Sequence, residues 1–151
     1  DGNPLHIIAL GHSVGAGAVL LSASRSDWAG IVSLSAFAHP RDMMQRFMNE
    51  HRIPKRWIQP MIMNQVQSVI GARFDDFAPE NTIRKIRCPL MLVHGNDDDD
   101  VPIAEARRLM ANAPYGSILK TIPEVGHDLR PAMPQIAPHV VGFMKDLICN
   151  D

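Results

Sequence analysis

The stretch Leu5-His6-Ile7-Ile8-Ala9-Leu10-Gly11-His12-Ser13-Val14-Gly15 decides the fold. Leu5 to Leu10 is a short apolar run between the Gly2-Asn3-Pro4 turn and a glycine, the pattern of a strand buried on both faces. Gly11 to Gly15 reads as a sharp turn. Ala16 to Ser24 is small and apolar without proline, which predicts a buried helix. Gly30-Ile31-Val32-Ser33-Leu34-Ser35 is a second strand. Strand, tight turn, helix and strand in this order form a βαβ unit, which implies a parallel sheet.

The pattern continues toward the C-terminus. Pro89-Leu90-Met91-Leu92-Val93-His94 predicts a third strand and Ser117 to Ile122 a fourth, so the strands lie near 5–10, 30–35, 89–94 and 117–122. Helices are expected over 103–113 and 136–148. The class is α/β, with a parallel sheet of about four strands and flanking helices.

Residues 38–80 differ in character. They hold Met43, Met44, Met48, Met61 and Met63, five of the nine methionines, and between Arg41 and Gln59 five basic residues face two acidic ones. Met43, Met44, Phe47 and Met48 recur at helical spacing, Pro54 suits the first position of a second helix, and Pro60 suits a kink or restart. An insertion this long for a crossover reads as a helical lid over a cleft. Its methionines are adaptable packers. Met43, Phe47, Trp57 and Met61 are expected to line the cleft or pack beneath it.

Composition narrows the function. The chain has 151 residues, 46% apolar and 21% charged, which excludes disorder, collagen and coiled coil. The net charge of −1 supplies no field for nucleic acid. No apolar run approaches the ~20 residues of a membrane span. Cys88 and Cys149 match no metal spacing.

The chemistry starts at Ser13. A serine on a tight strand-to-helix turn projects its hydroxyl above the sheet edge, and Gly11 and Gly15 are expected to relieve crowding there. The following helix N-terminus offers backbone N–H groups to a developing oxyanion. Serine needs a base to take its proton. Of seven histidines, His127 in Glu124-Val125-Gly126-His127-Asp128 follows the fourth strand directly, at the carboxyl end of the sheet where ligand groups gather. His6 reads as a structural residue of a strand. His12 is expected to point away from the reacting face, His39, His51 and His139 to lie on the surface, and His94 to shape the turn after its strand. The orienting carboxylate is ambiguous, because Asp97, Asp98, Asp99 and Asp100 run together. This run lacks the alternate spacing and glycine of a calcium loop, so no metal is expected.

Three motifs carry a resemblance: Gly11-His12-Ser13-Val14-Gly15, His94-Gly95-Asn96-Asp97-Asp98-Asp99-Asp100-Val101-Pro102 and Gly126-His127. The sequence is similar to the α/β-hydrolase superfamily, in particular its serine esterase and serine-aminopeptidase-like members. The second motif resembles the family's His-Gly-x-x-Asp-x-x-Val-Pro segment, which makes Asp98 the triad acid, Ser13 the nucleophile, His127 the base and the Val14 backbone N–H an oxyanion donor. The order Ser, Asp, His is that of the family. The resemblance implies a serine hydrolase cleaving a carboxylic ester or related acyl bond of a small molecule, without cofactor or metal. The alternative is a non-catalytic hydrolase-like module, or an inactive fragment that needs its missing N-terminal half. In the family the nucleophile follows the fifth strand, so residues 1–151 read as a partial domain, the C-terminal portion of the fold. A missing N-terminal segment or a second chain is expected at its open sheet edge.

Overall fold

A computed structural model describes residues 7–149. Strand β1 spans Ile8–His12, helix α1 Val14–Ala23 and strand β2 Gly30–Leu34. Helices α2 (Pro40–Glu50), α3 (Ile58–Ile70), α4 (Phe74–Phe77) and α5 (Pro79–Thr82) follow. Strand β3 (Leu90–Gly95), helix α6 (Ile103–Asn112), strand β4 (Ile118–Ile122) and helix α7 (Met133–Cys149) complete the order. The sheet is parallel throughout, in the order β1-β2-β3-β4. Parallel neighbours in sequence order need a crossover each, and α1, the α2–α5 insertion and α6 fill the three crossovers.

Alternation along the strands divides the core. Ile31, Leu90 and Leu92 face one side with Ala16, Leu20 and Leu109 of α1 and α6. Val32, Leu34, Met91 and Val93 face the other with Ile136, Val140 and Phe143 of α7. A third cluster lies inside the insertion, where Met48, Met63 and Phe74 are buried against Met44, Ile53, Ile62, Val66 and Phe77.

Several boundaries differ from the sequence reading. β1 runs on through Gly11 and His12, because both pair with β2 opposite Ser33 and Leu34. The predicted start of this strand at Leu5 and His6 lies outside the described residues. Helix α1 buries only Ala16, Gly17, Leu20 and Ala23 and leaves Val14 65% exposed, so a uniformly apolar segment still presents one helical face to the core. Pro60 sits in the first turn of α3, where its missing N–H costs no intrahelical bond, and the helix continues past it. Strand β1 is an edge whose Ile7 and Leu10 flank are 56% and 49% exposed. Among the described residues no helix is long and apolar enough to cross a membrane.

Candidate active site

Ser13 occupies the single residue between β1 and α1, with φ 54° and ψ −116°. A non-glycine residue at positive φ is strained. The strain is held from both sides: Ser13 N–H donates to Leu34 O at 2.9 Å, and Gly17 N–H donates to Ser13 O at 3.2 Å to start α1. A Cβ on Gly11 would overlap Gly15 O and lie 2.9 Å from Ala16 N, so the next-to-last position of β1 requires glycine. A Cβ on Gly15 meets nothing within 4 Å. The crowding is thus one-sided, and the expectation that both glycines relieve it is corrected. Val14 is the first residue of α1, so its N–H is one of those that a helix leaves without an internal acceptor.

The loops after β3 and β4 bring two more groups to this elbow. His127 Nε2 lies 2.9 Å from Ser13 Oγ, and His127 Nδ1 lies 2.9 Å from Asp98 Oδ2. Asp98 is 4% exposed, and its Oδ1 accepts the Val101 N–H at 2.7 Å, while Asp97, Asp99 and Asp100 are exposed. With Asp98 accepting at Nδ1, the imidazole carries its proton there and presents a bare Nε2 to the serine hydroxyl. Asp98, Asp100 and His127 each bring a donor atom within 4.8 Å of the others. For Asp98 and His127 that closeness is already accounted for by their mutual hydrogen bond.

A strand-to-helix serine, a histidine and a buried carboxylate now stand on a parallel sheet. Across residues 3–148 the sequence matches the family model described as the prolyl oligopeptidase family. The chain belongs to that family. As a prolyl oligopeptidase family member it has the α/β-hydrolase fold, and solved structures agree. Est1E from Butyrivibrio proteoclasticus superposes with a TM-score of 0.70 at 22% identity, over 95% of this chain and 62% of that one. An esterase from Pyrococcus furiosus gives 0.68 at 17%, over 95% and 54%. The esterase domain of a Rhodothermus marinus protein gives 0.58 at 20%, over 80% and 50%. The chain therefore spans between half and two thirds of the length of these structures. No curated protein sequence matches it.

Other histidines of this prolyl oligopeptidase family chain depart from expectation. His12 does not point away: its Nε2 lies 3.0 Å from His127 O and the two rings are 5.1 Å apart. The cause is the extra length of β1, which puts His12 on the same strand face as Leu10. Together with Leu34, Asp100, Asp128, Leu129, Arg130 and Met133, Leu10, His12 and His127 line a cavity of about 590 Å³. Asp128 in its wall is held ionised, down at about 2, by hydrogen bonds from Arg130. His39 is 7% exposed rather than solvated, because its Nδ1 accepts Arg41 N–H to cap α2 and its Nε2 lies 3.0 Å from Asp75 Oδ1. His51 and His139 are exposed as expected. His94 is buried beneath the acidic loop, its Nε2 2.7 Å from Val101 O.

Of the four residues expected to hold an acyl group, Met43 is half-buried, and Phe47, Trp57 and Met61 are 56%, 72% and 65% exposed. None of them lines the cavity beside His127. Phe47 stacks on His51 at 4.2 Å, and the Arg56 guanidinium lies 5.2 Å from the Trp57 ring centre. Sequence reasoning overlooked Arg46 and Glu105. Buried Glu105 accepts Ala38 N–H at 2.7 Å and pairs with Arg46, whose Nε donates to Asp100 O at 3.2 Å. These contacts tie α2 to the loop that carries Asp98. Glu105 stands in the first turn of α6, where acidic residues are ordinary, so its burial leaves no sequence signal.

Proposed function

We propose that this chain supplies the triad of a serine hydrolase that cleaves a carboxylic ester or related acyl bond. The reading is carried by the unbroken path Ser13 Oγ, His127 Nε2, His127 Nδ1, Asp98 Oδ2, with 2.9 Å at both hydrogen bonds. Ser13 Oγ attacks the acyl carbon as His127 Nε2 takes its proton. Asp98 keeps the imidazole oriented and stabilises the imidazolium. The carbonyl oxygen becomes an oxyanion, and Val14 N–H donates to it at the N-terminus of α1; one such donor typically carries about 10²–10³ in rate. His127 then returns the proton to the leaving group, and water enters by the same route to release the acid. The cavity wall formed by exposed Leu10 and Met133, backed by buried Leu129, suits the apolar part of a small acyl substrate.

A fluorophosphonate probe tests this directly, because only an activated serine reacts with it. Labelling of the folded protein that is lost in Ser13→Ala and His127→Ala is expected. Absence of labelling in a folded, full-length protein would overturn the proposal.

The apolar flank of β1, with Ile7 and Leu10 exposed, supports a second reading. In it the sheet accepts a further N-terminal segment or a second chain before the site works, and residues 1–151 alone are an inactive module. Light scattering and an ester assay on one sample of this chain separate the two. A soluble monomer with Ser13-dependent turnover would exclude the second reading.

A further inference from the structure

Val101 is clamped at both ends of its own backbone. Its N–H donates to Asp98 Oδ1 at 2.7 Å, and its C=O accepts from His94 Nε2 at 2.7 Å. Val101 is 3% exposed and His94 1%, so water replaces neither bond. The same His94 Nε2 lies 3.4 Å from Asp98 Oδ2, the oxygen that faces His127. The last turn of β3 thus reaches the acid by two routes, once through the Val101 peptide and once directly.

We infer that His94 is a positioning residue: as a neutral Nε2–H donor it fixes the Asp98–Val101 turn and thereby aims Asp98 Oδ2 at His127. The inference rests on the triad reading above. The tautomer follows from the partner, since a carbonyl oxygen can only accept. Burial holds the His94 pKa below the ordinary imidazole value, against the opposing influence of the Val101 carbonyl. Asp98, Glu105 and His127 are the titratable groups whose charge His94 feels. A neutral His94 matters, because an imidazolium 3.4 Å from Asp98 Oδ2 would compete with His127 for that oxygen. If the donor is lost, the Val101 carbonyl is buried without a partner, the turn relaxes, and Asp98 loses its register with His127.

Two readouts in the full-length protein test the idea. His94→Met and His94→Leu fill the space without a donor, and His94→Gln restores an N–H, so any one folded apolar variant suffices. The first readout is the low-field proton resonance of His127 Nδ1–H bonded to Asp98. It is expected to shift or vanish in His94→Met and to persist in His94→Gln. It does not depend on turnover, so it judges His94 even if the serine proves inert. The second is the rate of fluorophosphonate labelling, where misplacement of the acid is expected to cost roughly 10²-fold in His94→Met and much less in His94→Gln. In an Asp98→Asn background the same His94→Met change is expected to cost less than about 2-fold, since residues acting through one path are non-additive. An unchanged resonance in the apolar variants, or an equal loss in both backgrounds, would overturn the inference. If the wild type fails to label while its resonance responds to His94→Met, the triad reading falls and the positioning role stands.

Discussion

Gly95, the last residue of β3, lies backbone to backbone against Val125: a Cβ built on Gly95 would overlap the Val125 carbonyl oxygen and stand 2.7 Å from that of Gly126. The same Val125 carbonyl accepts the Asp97 N–H at 3.0 Å. The loop that carries His127 is therefore seated directly on the loop that carries Asp98. Gly95→Ala is expected to push the two apart, at a cost of about 1–3 kcal/mol and with a loss of serine labelling. Gly11→Ala is expected to behave alike, whereas Gly15→Ala, with open space around it, is expected to leave stability unchanged or raise it. Denaturant midpoints of the three variants check this ranking; a Gly95→Ala protein as stable and reactive as wild type would remove the packing argument.

Only one of four consecutive aspartates is buried and bonded to His127. Asp98→Asn is expected to lower kcat/KM by as much as about 10⁴-fold, because an amide N–H in place of the carboxylate favours the wrong tautomer of His127. Asp97→Asn and Asp99→Asn are expected to stay within about 3-fold, since surface changes away from special contacts are small. Asp100→Asn, in the cavity wall, is expected to shift KM before kcat. A loss of turnover confined to Asp99→Asn would place the acid one residue later.

The sheet was legible because each strand is a short apolar run bounded by turn residues, and because the run Leu5 to Leu10 ends in a glycine that only a tight elbow requires. What escaped were side-chain directions at element ends. His12 reads as turn by its neighbours Gly11 and Ser13, yet it completes β1 and so faces the His127 loop. His39 looks like a polar residue before Pro40, yet it is buried because it closes the helix cap and meets Asp75, 36 residues away. The methionines of the insertion split for the same reason: Met48 and Met63 meet across two helices in a small core, while Met61 turns outward. Periodicity gives the face of one helix and not the partner that covers it.

Buried Glu105 pairs with partly exposed Arg46, joining α6 to α2. Removing one partner strands a charge, which typically costs about 3–5 kcal/mol. Arg46→Met is expected to fall in that range and to loosen the Asp100 loop through its lost contact with Asp100 O. Adding Glu105→Gln, which can still accept the Ala38 N–H, is expected to recover part of the loss. Urea unfolding of the single and double variants measures it; a double variant less stable than Arg46→Met alone would mean that Glu105 is held by other contacts.

His94 also sets a pH dependence. Burial lowers its folded pKa, so the unfolded chain binds a proton more readily. Its contribution to stability is complete above the unfolded imidazole pKa of about 6.5. It is lost as pH falls from there through the lower folded value. Thermal midpoints followed downward from neutral pH are expected to drop less steeply in His94→Gln than in wild type. Parallel curves would show that His94 takes up no less protonation on folding than in the open chain.

The insertion gives the last test. Phe47 and Met61 are exposed on α2 and α3, Trp57 is exposed just before α3, and Met43 is half-buried on α2, the helix that Arg46 ties to the Asp98 loop. If these four side chains meet the acyl group when substrate is bound, their removal costs binding in proportion to the acyl length they cover. Each methylene in an apolar pocket is worth roughly 10-fold or more in discrimination. Alanine at Phe47 or Met61 is therefore expected to lower kcat/KM on a long-chain ester by about that factor and to leave an acetyl ester nearly unchanged. Trp57→Ala and Met43→Ala are expected to act in the same direction. The ratio of kcat/KM for a long-chain and an acetyl ester, measured on the four variants, reads the effect free of changes in the amount of active protein. Ratios equal to wild type in all four would leave the insertion a plain crossover, with acyl selectivity set by Leu10, Leu129 and Met133 instead.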